Sequence, residues 1–213
     1  MTIRGGVWIA AVLCAALNVH VAKANLVLNG NFATGDFTNW TLATTPNGTL
    51  GSPTVTTFDF GSGAVNAAQF QVGDVNFDGT QQGGSIAQTI ATGAGLFTFS
   101  ADIAAQGSNN VEAGVFTALL DGTPLDTVDL GFINGTLISS LSFTAPVGAG
   151  SHNLEILITR PYLSTPTEFV SDITADAPSA TSVPEPGSLM LLAGGLFGAA
   201  VLRRGRKRKD LSN

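Results

Sequence analysis

Cysteine is almost absent from this 213-residue sequence, which contains only Cys14. A single thiol cannot form a disulfide within the chain, and the sequence after Cys14 also excludes a cysteine nucleophile and a zinc-thiolate site. A folded domain must therefore be stabilised by its hydrophobic core. The roughly 150 residues from Asn25 to Ala175 are long enough for one such domain.

Basic residues are equally scarce in the middle of the chain. Arg160 is the only Lys or Arg between residues 25 and 182, where thirteen Asp and Glu residues occur. This region therefore carries a net charge of −12, although the whole chain carries −6. Such a balance excludes nucleic acid as an electrostatic partner, because that partnership needs Lys and Arg to displace counterions. It is compatible with divalent cations and neutral glycans, and also with a charged surface that only keeps the protein dispersed.

Residues that mark a catalytic centre are few. His152 is the only histidine between residues 25 and 182, and it begins an alternating, strand-like pattern, so we predict a structural role for it. No Gly-Xaa-Ser-Xaa-Gly elbow and no His-Glu-Xaa-Xaa-His helix occurs in the sequence. Thirteen acids leave the carboxylate pair of a glycosidase open, but no basic neighbour distinguishes one acid from another. We predict that the protein is not an enzyme.

The first 24 residues have the three parts of a secretory signal peptide. Arg4 precedes an apolar segment from Val7 to Leu17, and Ala22-Lys23-Ala24 supplies the small residues that signal peptidase recognises. We expect cleavage after Ala24 and therefore export of the protein. The alternative, an uncleaved membrane anchor, would need a longer apolar segment.

The region after residue 182 also has three ordered parts. Val183-Pro184-Glu185-Pro186 comes first, an apolar stretch over 188–202 follows, and residues 203–209 include six Lys and Arg residues. The stretch is shorter than the roughly 20 residues of a typical transmembrane helix, but tilt and bilayer thinning accommodate such a span. The basic cluster predicts a cytoplasmic end. An ordinary membrane anchor is the alternative interpretation of the apolar and basic parts.

This three-part arrangement resembles the PEP-CTERM sorting signal of Gram-negative bacteria, which exosortase processes near the Pro-Glu-Pro motif at Pro184-Glu185-Pro186. The resemblance implies an intermediate held in the inner membrane, followed by retention at the cell envelope or surface or by release outside the cell. It also implies a link to exopolysaccharide production and biofilm.

Residues 25–175 predict an all-β domain. The region is rich in Gly, Thr, Ser, Asn and Val, and short alternating patterns separated by turn residues replace helical periodicity. Apolar residues alternate with polar residues over 97–103, which predicts a strand with one buried face. The odd-numbered residues of 111–119 are expected to form the buried face of a further strand. Asp121-Gly122 predicts a tight hairpin turn, and residues 176–182 predict a flexible linker. We expect eight to ten strands, among them 54–60, 65–72, 85–90, 97–103, 111–119, 125–130, 137–144, 152–159 and 169–174, and hence an antiparallel β-sandwich.

The segment Asn25–Trp40 contains Asn-Gly-Asn-Phe and resembles the start of galactose-binding-like jelly-roll domains in exported bacterial proteins. The segments Gly84–Ile90, Leu120–Thr123 and Gly150–Leu154 strengthen this resemblance. It implies a relationship to carbohydrate-binding modules in which the first segment and the last strand meet at a structural calcium ion. Ala33 departs from the usual Glu, and Ser171-Asp172 replaces a frequent pair of acids. The candidate calcium ligands in this sequence are Asn29, Asn31, Asp36 and Asp172.

A second calcium candidate is the segment from Asp74 to Gly79. Carboxylate or amide side chains stand at its first, third and fifth positions, Asp74, Asn76 and Asp78, and Gly79 is sixth, as at the front of an EF-hand-type loop. The twelfth position is Ser85 and not a bidentate Glu, and strand-like patterns flank the segment. A polar hairpin loop is therefore the alternative to a calcium site.

Aromatic side chains that stack on sugars supply the last candidates. Trp40 and Tyr162 are the only Trp and Tyr between residues 25 and 182. A core position beside Phe37 is the simpler expectation for Trp40, whereas Tyr162 is expected in an exposed loop. The sequence thus predicts an exported cell-surface or matrix protein with a non-catalytic β-sandwich. The alternatives are a carbohydrate-binding module, with Gln69, Gln71 and Gln88 as further polar candidates, and a hydrolase that acts on polysaccharide.

Overall fold

The computed structural model describes residues 25–163 and 165–179. All of the helix and strand elements in this part of the chain are β-strands, so the prediction of an all-β domain is confirmed. The strands are β1 (Thr41–Thr44), β2 (Gly48–Thr49), β3 (Thr54–Asp59), β4 (Ala64–Phe70), β5 (Gly73–Asp74), β6 (Gln82–Thr92), β7 (Gly95–Glu112), β8 (Val115–Leu120), β9 (Thr123–Asp129), β10 (Phe132–Val147), β11 (Gly150–Arg160) and β12 (Thr167–Asp176).

The strands form two five-stranded antiparallel sheets that enclose one main core. Sheet I has the order β1-β6-β11-β8-β9, and sheet II has the order β10-β7-β12-β4-β3. A separate two-residue pair joins β2 to β5. Between β6 and β12 the chain changes sheet at five of the six connections, which is the path of a jelly roll. The predicted antiparallel β-sandwich of the jelly-roll type is therefore confirmed.

The core lies between the sheets because alternation along each strand turns one apolar face inward. On β7 of sheet II, Phe97, Phe99 and Ile103 are buried, as the sequence pattern predicts. Leu154 and Ile156 on β11 of sheet I are buried in the same cluster. Each such side chain contributes about 1.5–3 kcal/mol when it is fully buried. Apolar packing on this scale stabilises a domain that has no disulfide.

The predicted hairpin turn at Asp121-Gly122 is confirmed. β8 ends at Leu120 and β9 begins at Thr123, so two residues form the connection. Asp121 and Gly122 have φ angles of 52° and 76°. Two consecutive positive φ angles match the twist of the flanking strands, and Asp-Gly is among the sequences that adopt them at lowest cost.

The predicted strand over 111–119 is wrong in its register. The structure breaks it at Ala113 and Gly114, where Gly114 has a φ of 103°. This break shifts the alternation by one residue, so Phe116, Ala118 and Leu120 face the core instead of the odd-numbered residues of β8. A glycine with positive φ is needed there because other residues rarely adopt this conformation.

Three short strands, β1, β2 and β5, are not among the predicted ones. β2 and β5 each have two residues and β1 has four, which is too short for a recognisable alternating pattern. The last strand also extends further than the predicted domain end, since β12 continues to Asp176. After it, the backbone N–H of Gly93 donates a hydrogen bond of 2.6 Å to the carbonyl of Pro178.

The strand directions give the sandwich two distinct ends. At one end, Glu112 of β7 pairs with Phe132 of β10, and β11 ends at Arg160. At the other end, Gly95 of β7 pairs with Val147 of β10, close to the contact between Gly93 and Pro178. The end formed by Glu112, Phe132 and Arg160 carries the site described below.

The predicted terminal features lie outside the described residues. They are the signal peptide over 1–24 with Ala22 and Ala24, the sorting motif Val183, Pro184, Glu185 and Pro186, the apolar stretch over 188–202 and the basic cluster over 203–209. Within residues 25–163 and 165–179, no helix has the length and apolar character needed to cross a membrane.

Candidate functional site

Four of the nine large apolar side chains that are exposed in the described part of the chain line a single cavity of about 370 Å³. Three of them are aromatic: Phe77 is 63% exposed, Phe132 is 60% exposed and Tyr162 is 40% exposed. Exposed apolar side chains are ordinary when scattered, but a gathered set indicates a binding surface. We call this cavity the aromatic cleft; it is lined by Phe77, Asn110, Val111, Glu112, Phe132, Arg160, Tyr162, Leu163 and Thr165.

The three rings of the aromatic cleft come from three separate segments of the chain. Phe77 lies in the loop after β5, Phe132 begins β10, and Tyr162 follows β11. The rings of Phe77 and Tyr162 are inclined by 18°, with centroids 6.2 Å apart. The ring of Phe132 stands at 66° to that of Tyr162, with centroids 6.3 Å apart. Two nearly parallel rings and a third turned towards them thus form a corner.

Arg160 holds the segment that carries Tyr162. Its side chain is 2% exposed, and its Nε donates a hydrogen bond of 3.3 Å to Oε2 of Glu112. Its Nη1 donates to the carbonyl of Leu163 at 2.7 Å and to Oγ1 of Thr165 at 3.3 Å. The guanidinium carbon also lies 5.8 Å from the centroid of the Tyr162 ring, within the range of a cation–π contact. One buried cation therefore connects the end of β7 to the loop after β11.

Two buried glutamates accompany this cation. Burial raises the pKa of Glu112 above its usual value, although the backbone N–H of Gly114 and the Arg160 guanidinium both favour its charged form. Burial raises the pKa of Glu168 to about 8, and the backbone N–H of Val72, which donates to Oε2 at 2.9 Å, only partly offsets the effect. The other carboxyl oxygen of Glu168 has no hydrogen-bond partner within the described residues. Glu168 is therefore mostly protonated at neutral pH.

A bulge in β7 forms part of the rim of the aromatic cleft. Val111 pairs with Ile133 of β10 and Gly107 pairs with Gly135, so Ser108–Asn110 face the single residue Asn134. A bulge of this kind re-aims side chains, and bulges are frequent next to functional sites. Here it places Asn110 in the lining of the cleft.

The loop that carries Phe77 contains the second set of predicted calcium ligands. Asp74 is 2% exposed; its Oδ2 accepts from the backbone N–H of Asp78 at 3.2 Å, and its Oδ1 has no partner within the described residues. Nδ2 of Asn47 donates to the carbonyl of Asn76 at 2.7 Å and to Oδ2 of Asp78 at 2.9 Å. The Asn47 amide thus contacts two oxygens that a cation would need. Calcium at Asp74, Asn76 and Asp78 stays a prediction.

The other predicted calcium ligands lie where the opening segment meets β12. The backbone N–H of Ile173 donates to the carbonyl of Gly30 at 3.0 Å, and this hydrogen bond joins the segment of Asn29 and Asn31 to the segment of Asp172. Asn29 donates to the carbonyl of Asp36, and Oδ1 of Asp36 accepts from Oγ1 of Thr34 at 2.7 Å.

These hydrogen bonds shape the opening loop, and a calcium ion would have to replace several of them. Oδ1 of Asn29 accepts from the backbone of Thr34, and Oδ1 of Asn31 accepts from the backbone of Ala33. The hydrogen bond from the Thr34 hydroxyl lowers the pKa of Asp36, which stabilises its charged form without a metal. Calcium at Asn29, Asn31, Asp36 and Asp172 stays a prediction.

The two aromatic candidates differ in exposure. Tyr162 lines the aromatic cleft, whereas Trp40 is 7% exposed, stacks on Phe32 and donates from Nε1 to the carbonyl of Asn29. Trp40 therefore presents no face to a ligand, because the core takes up its ring. The amide of Gln88 bonds to the backbone of Leu28 and Asn39, and Gln69 and Gln71 are absent from the lining of the cleft.

His152 lies near the opposite end of the sandwich from the aromatic cleft. Its Nδ1 is 2.7 Å from Oδ2 of Asp121, and its Nε2 is 3.2 Å from the carbonyl of Gly148. The hydrogen bond to Asp121 raises the pKa of His152 above its usual value and lowers the pKa of Asp121. These contacts join the Asp121-Gly122 turn to the start of β11, so His152 has a structural role.

Sequence patterns missed most of the aromatic cleft. Phe77 stands alone between Asn76 and Asp78 in a polar segment, and Phe132 follows a glycine at the start of a strand, so neither belongs to an alternating pattern. The one available signal was Ser108-Asn109-Asn110, three turn-forming residues inside an otherwise continuous strand pattern. Such an interruption indicates a bulge.

The comparisons with known proteins concern the tail and the sandwich separately. The PEP-CTERM protein-sorting motif matches residues 182–207. Among curated proteins, no sequence matches this chain significantly.

Several solved carbohydrate-binding modules are similar in fold to the sandwich. TmCBM61 in complex with beta-1,4-galactotriose has 15% sequence identity and a TM-score of 0.47, over 71% of this chain and 97% of that chain. A family 35 carbohydrate binding module from Clostridium thermocellum has 10% identity and a TM-score of 0.39, over 67% and 95%. The C-terminal family 22 module of Clostridium thermocellum Xyn10B has 12% identity and a TM-score of 0.41, over 73% and 99%.

The matched segment at 182–207 contains Val183-Pro184-Glu185-Pro186 and most of the apolar and basic parts that follow it. The predicted sorting signal is therefore confirmed. The chain carries the PEP-CTERM protein-sorting motif of exported, exosortase-processed proteins, and a jelly-roll β-sandwich precedes it.

Proposed function

We propose that this exported protein binds polysaccharide through the aromatic cleft, at the cell surface or in the extracellular matrix, without catalysing a reaction on it. The observation that carries the proposal is the exposure of Phe77, Phe132 and Tyr162 around one cavity. Aromatic rings that are exposed to water become buried when the apolar face of a pyranose ring stacks on them. A link to exopolysaccharide and biofilm is part of this proposal.

The orientation of the rings supports sugar binding. Phe77 and Tyr162 are nearly parallel, and Phe132 stands at a steep angle to Tyr162. In such a corner, one ring stacks on the face of a sugar while the steeply inclined ring contacts the edge of the same sugar. Contact on two sides orients the ligand better than a flat apolar patch. Polar groups beside the rings, such as the Asn110 amide, are of the type that pairs with sugar hydroxyls.

The charges favour a neutral polysaccharide. Arg160 is the only Lys or Arg of residues 25–182, and Glu112 already accepts a hydrogen bond from it, so the described lining of the cleft offers no unpaired cation to an acidic sugar. The net charge of −12 on this region repels anionic chains at low salt. Binding of uronate-rich polymers should therefore be weaker than binding of neutral polymers.

The lining also favours binding over hydrolysis. Glycoside hydrolysis commonly uses two carboxyl groups that flank the bond to be cleaved. Glu112 is the one carboxyl among the described residues that line the aromatic cleft, and it is engaged by Arg160 and by the backbone of Gly114. A hydrolase is accordingly the weaker candidate function.

Affinity electrophoresis of the exported protein tests the proposal. Native gels would contain galactomannan, xylan, β-1,4-galactan or hydroxyethylcellulose, with alginate as an anionic comparison. We expect at least one neutral polysaccharide to retard the wild-type protein. Phe132→Ala and Tyr162→Ala should each weaken that binding about 30-fold or more, because central aromatic contacts contribute about 2 kcal/mol or more.

The matched control is Leu137→Ala, which also removes an exposed apolar side chain from β10 but does not alter the lining of the cleft. This variant should bind like the wild type. Two results would contradict the proposal: no retardation by any neutral polysaccharide, or unchanged retardation of the two aromatic variants. Release of reducing sugar during the incubation would contradict its non-catalytic part.

A further inference from the structure

The bulge at Ser108–Asn110 has an unusual backbone. Asn109 and Asn110 have φ angles of 64° and 55°, so two successive residues adopt the left-handed conformation inside a long strand. Asn tolerates this conformation better than most residues, yet it still costs free energy there. Strained backbone of this kind is concentrated at functional sites.

Gly107 allows the bulge to close tightly. A Cβ atom at this position would be closer to Cγ2 of Val111 than real Cβ contacts are. Val111 itself lines the aromatic cleft. Gly107 and the left-handed conformations of Asn109 and Asn110 therefore shape the bulge together, and Asn110 lines the cavity.

The Asn110 amide has its full hydrogen-bonding capacity available. Its side chain is exposed and makes no hydrogen bond to any described residue, whereas Nδ2 of its neighbour Asn109 donates to Oγ of Ser108 at 3.3 Å. Among the other polar side chains of the lining, Glu112 and Thr165 both bond to Arg160, and the Tyr162 hydroxyl is the other group that makes no hydrogen bond to a described residue. An amide offers two donors and an acceptor, which is the capacity needed for adjacent sugar hydroxyls.

We propose that Asn110 is the specificity-determining residue of the aromatic cleft and hydrogen-bonds hydroxyl groups of a neutral pyranose that stacks on the rings. This inference rests on the proposed carbohydrate binding and deepens it. Stacking on Phe77, Phe132 and Tyr162 distinguishes sugars poorly, since every pyranose has an apolar face. An amide beside the rings distinguishes them by the direction of their hydroxyl groups, because a mispaired polar group loses its hydrogen bond on desolvation.

The chain offers a matched pair of variants for the test. Asn110→Gly removes the side-chain amide that lines the cleft. Asn109→Gly removes an amide that does not line the cleft, from a residue with nearly the same φ angle. Glycine accepts positive φ without strain, so both variants should fold and be at least as stable as the wild type. Urea unfolding of the exported protein checks this before binding is measured.

Binding is measured in the same gels of galactomannan, xylan, β-1,4-galactan and hydroxyethylcellulose. Asn110→Gly should weaken binding about 3- to 10-fold on the polysaccharide that retards the wild type most, the range expected for one hydrogen bond. It should also reduce the ratio between the strongest and the weakest of these polysaccharides. Asn109→Gly should leave both quantities unchanged.

The outcomes separate this inference from the proposed function. If Phe132→Ala and Tyr162→Ala lose binding while Asn110→Gly binds with wild-type strength and selectivity, the role of Asn110 is overturned and the binding proposal stands. Equal weakening by Asn109→Gly overturns it as well. If the aromatic variants bind normally, or no polysaccharide binds, the proposed function fails and this inference fails with it.

Discussion

Three acidic side chains in the described part of the sandwich are withdrawn from water. Asp74, Glu112 and Glu168 are buried, whereas most of the other acids lie at the surface. One buried cation, Arg160, forms an ion pair with Glu112. Glu168 has no such pair among the described residues, and a single backbone N–H does not compensate for the loss of water around a carboxylate. The neutral acid is therefore the favoured form of Glu168 in the folded protein near neutral pH.

Glu168→Gln should change how the stability of the protein depends on pH. The pKa of Glu168 is raised from an ordinary 4.5 to about 8. Between these values the folded state binds more protons at this site than the unfolded chain, so the free energy of unfolding falls as pH rises. The wild type should lose roughly 3–5 kcal/mol through this site between pH 4.5 and 8. Glutamine, which carries no charge, should abolish that loss.

Urea unfolding at pH 5, 7 and 9 provides the measurement. We expect Glu168→Gln to be more stable than the wild type at pH 9 and similar to it at pH 5. Glu155→Gln is the control, because Glu155 is a partly exposed acid on β11. A wild-type and a Glu168→Gln protein with parallel pH profiles would show that Glu168 is ionised in the folded state.

Residue type alone did not separate the two aromatic candidates. Trp40 and Tyr162 are both suited to sugar stacking, yet one is buried against Phe32 and the other faces a cavity. The expectation of a core position for Trp40 came from its apolar neighbour in the sequence. Whether a ring is exposed depends on the segments that pack around it in the folded chain.

At the scale of elements, the local signals were the most informative. The Asp121-Gly122 turn depends on two adjacent residues and their φ angles, so the sequence was sufficient to predict it. The break at Gly114 and the bulge at Ser108–Asn110 depend on how β7 pairs with β10 and continues into β8. A one-residue shift in pairing reverses every side chain that follows, which explains the wrong face predicted for β8.

Gly122→Ala should destabilise the protein by about 1 kcal/mol. No described residue lies within 4 Å of a Cβ atom built at Gly122, so the cost arises from its φ of 76° and not from a clash. Gly148→Ala is the matched control: its surroundings are equally open, and its φ lies outside the left-handed region. That variant should be neutral or slightly stabilised, because alanine restricts the unfolded chain.

Urea unfolding of the two alanine variants distinguishes the backbone effect from a general loop effect. Equal stability changes at Gly122 and Gly148 would contradict the requirement for a left-handed residue in the β8–β9 turn.

At the scale of the whole molecule, the aromatic cleft and the start of the tail lie at opposite ends of the sandwich. β7 runs from Gly95, beside the contact between Gly93 and Pro178, to Glu112 in the cleft. β10 and β11 connect the same two ends. The chain therefore leaves the described sandwich, on its way to the sorting motif, at the end remote from the cleft.

The exported protein should lack both ends of the full sequence. Signal peptidase is expected to leave Asn25 at the N-terminus, and exosortase is expected to cleave near Pro184-Glu185-Pro186 and remove the apolar and basic parts. Intact mass spectrometry of the protein recovered from outside the cytoplasm measures both cleavages. Replacement of these three residues by alanine should leave the tail uncleaved, with the protein retained in the inner membrane.

A control in which Pro178, Ser179 and Thr181 of the linker are replaced by alanine should be processed like the wild type. Recovery of the wild-type exported protein with its tail intact to Asn213 would reduce the sorting signal to a simple membrane anchor.

The sequence by itself determined the features that depend on neighbouring residues: the sorting motif at 182–207, the alternation that makes the domain all-β, and the Asp121-Gly122 turn. Only the tertiary structure decided the site. Phe77, Phe132 and Tyr162 are separated by tens of residues, and the pairing of the sheets together with contacts between their loops brings the rings together. The charge of Glu168 was equally hidden, because a pKa depends on the water and partners that surround the folded carboxyl group and not on its position in the chain.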